Sequence, residues 1–335
     1  MAASLDILGG QGVQAHALVE ALKGDGYDVR FIPINPRFPA GLGWLRRHRF
    51  VRTLVNQALY LPSLRRLRQA DVVHVFSASY WSFLLSPVPA MLAARRLRKR
   101  VVLHYHSGEA EDHLSHWGRR VHPWLRLADE IVVPSEYLRG VFARHGYATL
   151  VIPNLVDTSS FRYRARRPLR PRLLSTRNFE PHYRVENTLA AFAILKRRYP
   201  QATLTLAGLG SLDGRLRRQA AGLGVEGIHF AGRVEPAAMP RLYDEADLFV
   251  NSAVIDNQPV SVLEAFAAGL PVISTGTGDI AAMVRSGETG LIVPADEPEA
   301  MAERARQEVA SYTWSEIRTA WAAAYSGGAT AGRAA

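Results

Sequence analysis

Cysteine is absent from this 335-residue chain, and lysine occurs only at positions 23, 99 and 196. Without thiols there is no disulfide framework, thiolate metal site or cysteine nucleophile. No apolar run approaches the ~20 residues of a membrane-spanning helix, and the N-terminus lacks the charged and then apolar pattern of a secretory signal. We therefore expect a cytoplasmic protein, and leave open a peripheral attachment to the inner face of the membrane.

Positive charge is carried almost entirely by arginine. Lys and Arg together number 41 against 30 Asp and Glu, which gives a formal net charge of +11. A basic surface favours phosphorylated substrates, anionic lipid headgroups or nucleic acid, although an arginine bias can also reflect genomic base composition. Because no nucleic-acid recognition motif accompanies the charge, we expect no nucleic acid as partner.

Short β-branched runs alternate with helical segments along the chain. The runs cover residues 28–34, 71–77, 100–106, 130–134, 149–153, 172–176, 202–207, 227–230 and 247–251. This alternation predicts an α/β protein with two doubly wound parallel sheets. Residues 161–171 are rich in arginine and proline and poor in apolar residues, so they are predicted to link a domain at 1–160 to one at 172–308.

The first strand of the N-terminal sheet is expected to be missing or shortened. Asp6 makes residues 4–8 a poor buried strand, whereas a doubly wound sheet buries its first strand on both faces. The alternatives are a misassigned or truncated start, and a short substitute strand at 3–8. Gly9 and Gly10 then open a helix, and such a glycine turn can hold phosphate.

Residues 251–275 are predicted to form a loop, a short helix and a strand. Pro259 suits the first helical position, and Gly269 with Pro271 suits the end of the helix. An ordinary helix–strand unit of an α/β domain would have the same boundary residues. A functional interpretation of this segment therefore depends on its polar residues.

The start of this helix is a candidate anion site flanked by carboxylates. The N–H groups of Val260 and Ser261 point out of the helix, and the helix dipole favours negative charge there. Asp256 precedes the helix and Glu264 lies within it. Carboxylates suit the hydroxyl groups of a ribose or a sugar better than a phosphate. Phosphate on the amides and hydroxyls on the carboxylates predict a nucleotide-sugar ligand.

The same segment resembles the motif of the GT-B retaining glycosyltransferases of family 4. In that family a Glu is followed after seven residues by a second Glu that runs into Ala-x-Ala-x-Gly-x-Pro-Val. The matching residues here are Asp256, Glu264, Ala265, Ala267, Gly269, Pro271 and Val272. The first position therefore departs from the family, with Asp in place of Glu. The resemblance covers nearly the whole chain and is strongest over residues 172–294.

The resemblance implies the GT-B architecture and its chemistry. Two Rossmann-like domains would face a cleft, with the donor on the second and the acceptor on the first. A C-terminal segment, 309–326, would pack back toward the first domain, and 327–335 look disordered. The activity implied is transfer of a sugar from a nucleoside-diphosphate-sugar to an acceptor with retained configuration, without metal or any cofactor besides the donor.

The family also implies roles for single residues on the donor side. An Arg followed about five residues later by a Lys contacts the donor diphosphate, and Arg177 matches the Arg. No Lys follows, so Arg184 or His182 is the candidate for the second cation. Glu264 would hold the ribose, and Asp256 the donor sugar.

On the acceptor side, the resemblance places a histidine after the strand at 100–106. We expect His104 and His106 to point to opposite faces of the sheet, one of them packed, and assign the acceptor role to His106. The family's glycine loop corresponds to Gly9 and Gly10. No clean set of metal ligands accompanies the histidines.

Residues 37–68 interleave arginines with apolar side chains at roughly helical spacing. This pattern predicts either a basic amphipathic helix that docks on an anionic membrane or holds a lipid-linked acceptor, or a helix that covers the sheet with a solvated arginine face. A lipid-linked or cell-envelope glycan is therefore one candidate acceptor. The altered Glu and Lys positions leave a second interpretation, an inactive or truncated member that binds nucleotide-sugar without turnover.

Overall fold

The computed structural model describes residues 1–3, 10–39, 41, 44, 48–77, 79–166 and 168–301. Two compact units are formed, Met1–Val156 with Ile255–Val260, and Asp157–Val254 with the chain from Ser261 onward. Each unit contains one parallel β-sheet with helices. The predicted α/β class, with two Rossmann-like parallel-sheet domains, is confirmed.

Several sequence expectations concern parts of the chain outside the described residues. These are the segment at 4–8, the C-terminal helical segment at 309–326 and the tail at 327–335. The described part of the predicted linker at 161–171 groups with the second unit. The predicted domain limits, 1–160 and 172–308, stay predictions.

The first unit carries a four-stranded sheet. Its strands are β1 (Val72–Ser77), β2 (Arg100–Tyr105), β3 (Glu130–Val133) and β4 (Leu150–Val151). Its helices are α1 (Gly10–Gly24), α2 (Arg49–Ser63), α3 (Tyr80–Leu85), α4 (Pro87–Arg96), α5 (Ala110–His116), α6 (Gly118–Leu125) and α7 (Glu136–Arg144), with a 3₁₀ turn at Leu64–Gln69. The strands follow the order β1-β2-β3-β4 and every pair is parallel.

The two faces of this sheet carry different side chains because strand residues alternate between faces. On one face Val75 and Leu103 are fully buried in the main core, together with residues of α4 and α7. On the other face Phe76 packs with Ala2 and Ala15 under α1. The histidines of β1 and β2 accompany Phe76 on that second face.

Met1 and Ala2 make backbone hydrogen bonds of the strand type, whereas residues 4–8, where a shortened first strand is expected, lie outside the described residues. The Ile34 N–H donates to the Ala2 carbonyl at 3.0 Å, and the Phe76 N–H donates to the Met1 carbonyl at 2.9 Å. The predicted strand at 28–34 is wrong, since Pro33 forms only an isolated parallel bridge with Ala2. Its apolar residues suit a strand, but within the described part of the chain its one β-bridge is to Ala2, and no longer ladder forms there.

The second unit carries a six-stranded sheet. Its strands are β5 (Arg172–Ser175), β6 (Thr203–Ala207), β7 (Ile228–Gly232), β8 (Leu248–Asn251), β9 (Val272–Thr275) and β10 (Gly290–Val293). Its helices are α8 (Val185–Arg198), α9 (Asp213–Gly222), α10 (Met239–Glu245), α11 (Val260–Ala267) and α12 (Ile280–Met283), with 3₁₀ turns at Thr158–Ser160, Pro181–Tyr183 and Pro236–Ala238. The parallel strands follow the order β10-β9-β8-β5-β6-β7.

Apolar cores lie on both faces of this sheet, as expected for parallel strands covered by helices. On β5, Leu173 packs with α8 residues such as Phe192, whereas the adjacent Leu174 packs in a second cluster with Val262 of α11. The order of the strands reverses between β5 and β8, which are hydrogen-bonded neighbours. That reversal is where ligands bind in doubly wound sheets.

A buried carboxylate ties the arginine-rich segment before β5 to the second unit. Asp247 is 1% exposed and accepts hydrogen bonds from Arg172 Nε at 2.7 Å and from Arg164 Nη2 at 3.2 Å. Arg166 is also buried and donates to the Tyr243 carbonyl at 2.9 Å, and burial lowers its pKa to about 10. These arginines are therefore structural and hold α10 in place.

Replacing Asp247 by Ala should destabilise the second unit by about 2 kcal/mol, because the arginines lose their buried counter-charge. The effect is smaller than for a fully buried pair, since the Arg164 and Arg172 side chains are 32% and 35% exposed and water screens them. Urea unfolding followed by circular dichroism measures it. Glu245→Gln, at an exposed ion pair with Arg241, is the control, with an expected change below about 0.5 kcal/mol. Equal unfolding midpoints for the two variants would contradict the structural role.

Candidate functional site

The carboxyl ends of β5 and β8 meet where the strand order of the second unit reverses. The chain after β5 leads directly to Arg177, and the chain after β8 leads to α11. Sequence reasoning selected residues from both segments, and the structure places them next to each other. This edge of the sheet is the candidate site.

Arg177 is held against the first turn of α11. Its guanidinium is 7% exposed, and Nη1 donates to the Ser261 hydroxyl at 2.8 Å. The guanidinium carbon also lies 4.2 Å from the centre of the Tyr183 ring, in cation–π geometry. The contacts with Ser261 and Tyr183 are made to neutral groups, and they hold the guanidinium in place.

The loop after β6 supports the backbone at Arg177. A Cβ atom on Gly208 would lie 2.2 Å from the Arg177 carbonyl oxygen, so only glycine allows this approach. The Phe179 N–H donates to the Leu209 carbonyl at 3.0 Å. The glycine-containing loop after β6 therefore fixes the position of Arg177.

Glu264 lies two-thirds of the way along α11 and is half-buried. Tyr243 donates its hydroxyl to Glu264 Oε2 at 2.7 Å. Burial raises the pKa of Glu264, while the hydrogen bond from Tyr243 and the charge of Arg177 act in the opposite direction. The carboxylate is thus oriented by a buried donor and lies in the field of Arg177.

Tyr243 is a site residue that sequence reasoning missed. It is fully buried, and its hydroxyl lies 2.9 Å from Thr176 Oγ1 and 3.1 Å from the Ser261 carbonyl. Burial, followed by the charge of Glu264, raises its pKa well above the usual value. In the sequence Tyr243 is one of several apolar residues of a helix, so no local signal distinguishes it from a core residue.

The N-terminal boundary of α11 lies within one residue of its predicted position. The helix begins at Val260, directly after Pro259, and its first turn carries no acidic residue. Gly269 has φ +74° and donates to the Phe266 carbonyl at 2.9 Å. The left-handed residue that closes such helices is therefore the glycine.

Asp256 lies in the loop Ile255–Val260, which groups with the first unit. Its carboxylate accepts the N–H of Asn257 at 2.9 Å. The same loop is anchored by Asn154, whose N–H donates to Gln258 Oε1 at 2.8 Å. A Cβ atom on Gly108 would lie 2.5 Å from the Asp256 carbonyl oxygen. The backbone at Asp256 is therefore closely packed.

The two candidates for a second cation have different surroundings. Arg184 has φ +46° and lies 3.3 Å from Asp296 and 3.6 Å from Glu186. The ring of His182 lies 4.2 Å from that of Tyr183, the residue that also contacts Arg177. His182 therefore contacts a residue of the Arg177 group, whereas Arg184 is ion-paired with carboxylates.

The expectation that His104 and His106 point to opposite faces is wrong. Their ring centres are 4.1 Å apart, because strand residues two apart share a face. His104 Nδ1 lies 3.2 Å from His74 Nε2, and His106 stacks on Phe76 at 5.1 Å. All three histidines are packed side by side.

Burial keeps these histidines uncharged. It lowers the pKa of His104 to about 4. Burial and then repulsion from His104 lower the pKa of His74 to about 3 and that of His106 well below its usual value. Among the described residues there is no group of three or more His, Asp or Glu placed to hold a metal ion. His106 can therefore offer a neutral imidazole at neutral pH.

The candidate residues divide as follows. Arg177, Ser261 and Glu264 lie together in the second unit, with Val260 at the head of the same helix. Gly10, His106 and Asp256 belong to the first unit, where Gly10 is the first residue of α1. Gly9 lies outside the described residues.

Two family models match the chain. Residues 170–310 match the model described as Glycosyl transferases group 1, and residues 8–160 match Glycosyltransferase Family 4. Together they span most of the sequence. The chain belongs to the group 1 glycosyltransferases of the GT-B fold.

Named relatives include two kinds of mycobacterial enzyme. Glycogen synthase of Mycobacterium tuberculosis is 29% identical over 246 residues, 66% of this chain and 59% of the relative. Phosphatidyl-myo-inositol mannosyltransferase of Mycobacterium leprae is 26% identical over 322 residues, 90% of this chain and 83% of the relative. The chain thus spans 59% of the length of the glycogen synthase it matches.

Solved structures share the fold at low identity. HepE of Anabaena in complex with UDP has a TM-score of 0.64 at 18% identity, covering 92% of this chain and 85% of that chain. Sucrose-phosphate synthase from Thermosynechococcus elongatus also has a TM-score of 0.64, at 20% identity, covering 95% and 93%. These likenesses establish the fold alone.

Replacing Tyr243 by Phe should raise the pH at which Glu264 protonates, because the hydrogen bond that favours the carboxylate is lost while its burial remains. Carboxyl-carbon NMR titration measures this change, with the Glu264 resonance assigned from the Glu264→Gln variant. Tyr199→Phe is the matched control and should leave the titration as in the wild type. A Glu264 midpoint that stays unchanged or falls in Tyr243→Phe would show that Tyr243 does not orient this carboxylate.

Proposed function

We propose that this protein transfers a sugar from a nucleoside-diphosphate-sugar to an acceptor, with retained anomeric configuration. The observation that carries the proposal is the placement of Arg177, the first turn of α11 and Glu264 at the strand-order reversal of the second unit. A cation, helix amides and a carboxylate at one edge match the diphosphate and the hydroxyls of such a donor.

The diphosphate would bind to Arg177 and to the N–H groups of Val260 and Ser261. Negative charge grows on the leaving diphosphate as its bond to the sugar breaks, and groups already fixed in place stabilise that charge without reorganising. The Ser261 hydroxyl and the Tyr183 ring keep Arg177 fixed. Arg177 would thus stabilise the transition state as well as the bound donor.

Glu264 would hold the ribose hydroxyls, and Asp256 the donor sugar. A carboxylate accepts two hydroxyl hydrogen bonds well only when it is ionised and correctly oriented. Tyr243 orients Glu264, and both Tyr243 and Arg177 favour its ionised form against the effect of burial. The tyrosine thus supports donor binding through the carboxylate.

For the second cation we favour Arg184 over His182. The Arg184 side chain is 42% exposed, so its pairs with Asp296 and Glu186 are exchangeable surface ion pairs. A diphosphate would replace those carboxylates with a stronger, bidentate partner.

Retention is supported by the family resemblance. In that mechanism the leaving phosphate oxygen helps to remove the acceptor proton, so no strong general base is needed. The neutral His106 of the first unit would contribute a hydrogen-bonding imidazole on the acceptor side. No metal or further cofactor enters the proposal.

Replacing Arg177 by Ala, or Glu264 by Ala, should weaken UDP binding at least tenfold, or about 1.4 kcal/mol. UDP is the first probe because HepE and other fold neighbours were solved with it. Isothermal titration calorimetry gives the affinity, and donor hydrolysis should fall by roughly 10²–10³-fold for Arg177→Ala.

Arg241→Ala is the control for these variants, since Arg241 pairs with Glu245 on an exposed face of the same unit. Its affinity and rate should equal those of the wild type. Full activity in Arg177→Ala or Glu264→Ala would contradict the assignment of the donor site. UDP and UDP-glucose that bind without any turnover would instead support an inactive binding protein, which Asp256 and the missing lysine favour.

The acceptor is proposed to be a glycan or lipid-linked molecule. The names of the relatives point to a glucan polymer and to a phosphatidylinositol. Both present hydroxylated six-membered rings, one as a chain and the other at a lipid surface.

Helix α2 supports a membrane-bound acceptor. Phe50 is 83% exposed and Leu54 is 71% exposed on this helix, and Arg52 is exposed beside them. Its other side buries Tyr60 in the main core of the first unit. The helix therefore covers the sheet and also presents apolar side chains outward, as surface-binding helices do. No described helix is both long and apolar enough to span a bilayer.

The double variant Phe50→Ser/Leu54→Ser should lose binding to vesicles of phosphatidylglycerol and phosphatidylcholine, because it removes the apolar insertion while keeping the arginines. Sedimentation across a salt series measures the binding, which should weaken as salt screens the arginines. Tyr27→Ser, at another exposed aromatic residue of the same unit, is the control. Absent or salt-independent binding of the wild type would end the membrane hypothesis.

A further inference from the structure

An aromatic cluster lies after the carboxyl ends of β1 and β2 in the first unit. The rings of Trp81 and Trp117 meet edge to face at 5.4 Å, and Tyr80 lies 5.5 Å from Trp117. Trp81 is 61% exposed. An indole left this open beside two other rings forms an accessible apolar wall at the edge of the sheet where sites gather.

Tyr80 is held in this cluster in a strained conformation. Its φ is +57°, in the left-handed region that bulky residues rarely adopt. Its hydroxyl donates to Asp112 Oδ2 at 2.5 Å, which fixes the direction of the ring. Strain of this kind persists where surrounding contacts impose it, often at a ligand site.

A buried polar network supports the cluster from below. His113 is fully buried between Tyr80 and Trp117, and its Nδ1 lies 2.7 Å from the Tyr105 hydroxyl. Tyr105 in turn lies 2.9 Å from Ser79 Oγ. His113 Nε2 has no hydrogen-bond partner within the described part of the chain. The rings are thus backed by a rigid layer that still holds an unused polar atom.

We infer that this cluster is an acceptor subsite for a hydroxylated six-membered ring, a pyranose or a cyclitol. This inference rests on the proposed sugar transfer. The C–H face of such a ring packs on an aromatic face while its hydroxyls reach neighbouring polar groups. Trp81 supplies the open aromatic face, and Asp112, whose side chain is 52% exposed, supplies the hydroxyl acceptor.

The composition of the cluster argues against two other ligands. A lipid chain would not favour the exposed carboxylate of Asp112 beside the rings. A bare anion is disfavoured by the two acids, Glu111 and Asp112, in the first turn of α5. Arg120 lies 5.2 Å from the Trp117 ring centre, so a phosphate attached to a cyclitol could still find a cation at one side.

Two probes distinguish the sources of such a ring. Maltotriose represents a glucan, and myo-inositol 1-phosphate represents a phosphorylated cyclitol headgroup. Binding to the full chain is followed by tryptophan fluorescence and by calorimetry. We expect one probe to bind, and Trp81→Ala to weaken that binding at least tenfold. Tyr80→Phe, which keeps the ring and removes the bond to Asp112, should weaken it less.

Tyr27→Ala is the control, since Tyr27 is similarly exposed at 64% but is outside both the cluster and the basic segment at 37–68. In transfer assays with the preferred acceptor class, Trp81→Ala should raise the KM for acceptor while the KM for donor and the affinity for UDP stay unchanged. Near-UV circular dichroism and the melting temperature establish that each variant is folded. Rescue of acceptor binding by Trp81→Phe would support an aromatic contact.

The inference is overturned if neither probe binds the wild type at tens of millimolar, or if Trp81→Ala binds like the Tyr27→Ala control. It is also overturned if Trp81→Ala loses only vesicle binding, which would make the cluster a membrane contact. These outcomes leave UDP binding intact, so they do not contradict the proposed sugar transfer. Probe binding that depends on Trp81 without any UDP binding would keep the subsite and refute the sugar transfer.

Discussion

The hydrogen bond between Arg177 and Ser261 is the contact on which the candidate site depends. It joins residues 84 positions apart and exists because β5 and β8 are neighbours in the sheet although three helices and two strands separate them in the chain. Burying a guanidinium is unfavourable unless it finds partners. The serine hydroxyl and the Tyr183 ring supply two such partners, which hold the guanidinium at the start of α11.

A second chain of contacts leads from the arginine-rich segment to Glu264. Arg164 and Arg166 bind Asp247 and the carbonyls around α10. That packing fixes Tyr243, whose hydroxyl orients Glu264. The segment predicted to be a linker therefore helps to position Glu264, the candidate ribose-binding residue. The carboxylate is held in a position where burial opposes its charge, and neighbouring groups offset that penalty.

The first unit has an apolar core on one face of its sheet, and histidine, tyrosine and tryptophan side chains near the ends of its strands. His74, His104 and His106 remain neutral because they are packed together and away from water. Beyond β1 and β2, Tyr80 and Trp81 form the aromatic wall described above. The loop Ile255–Val260 groups with this unit, whereas α11 from Ser261 onward groups with the other. The segment that suggested a nucleotide-sugar thus contributes residues to both units.

Local pattern was sufficient to predict the architecture and to select candidate donor residues. Alternating strands and helices predicted the two parallel sheets, and helix boundary residues with spaced carboxylates pointed to Ser261 and Glu264. The family resemblance pointed to Arg177. These features depend on residues close in sequence, where periodicity and capping act. The expected opposite orientation of His104 and His106 contradicted that same periodicity, so strand geometry alone could have corrected it.

Long-range packing decided the rest. Whether 28–34 becomes a strand depends on a partner at Met1–Ala2, and the role of Tyr243 depends on α10 reaching Glu264 across 21 positions. The cluster of Tyr80, Trp81 and Trp117 likewise joins separate loops. Such pairings follow from strand order and helix packing, which place distant side chains in contact and leave no mark on the local sequence.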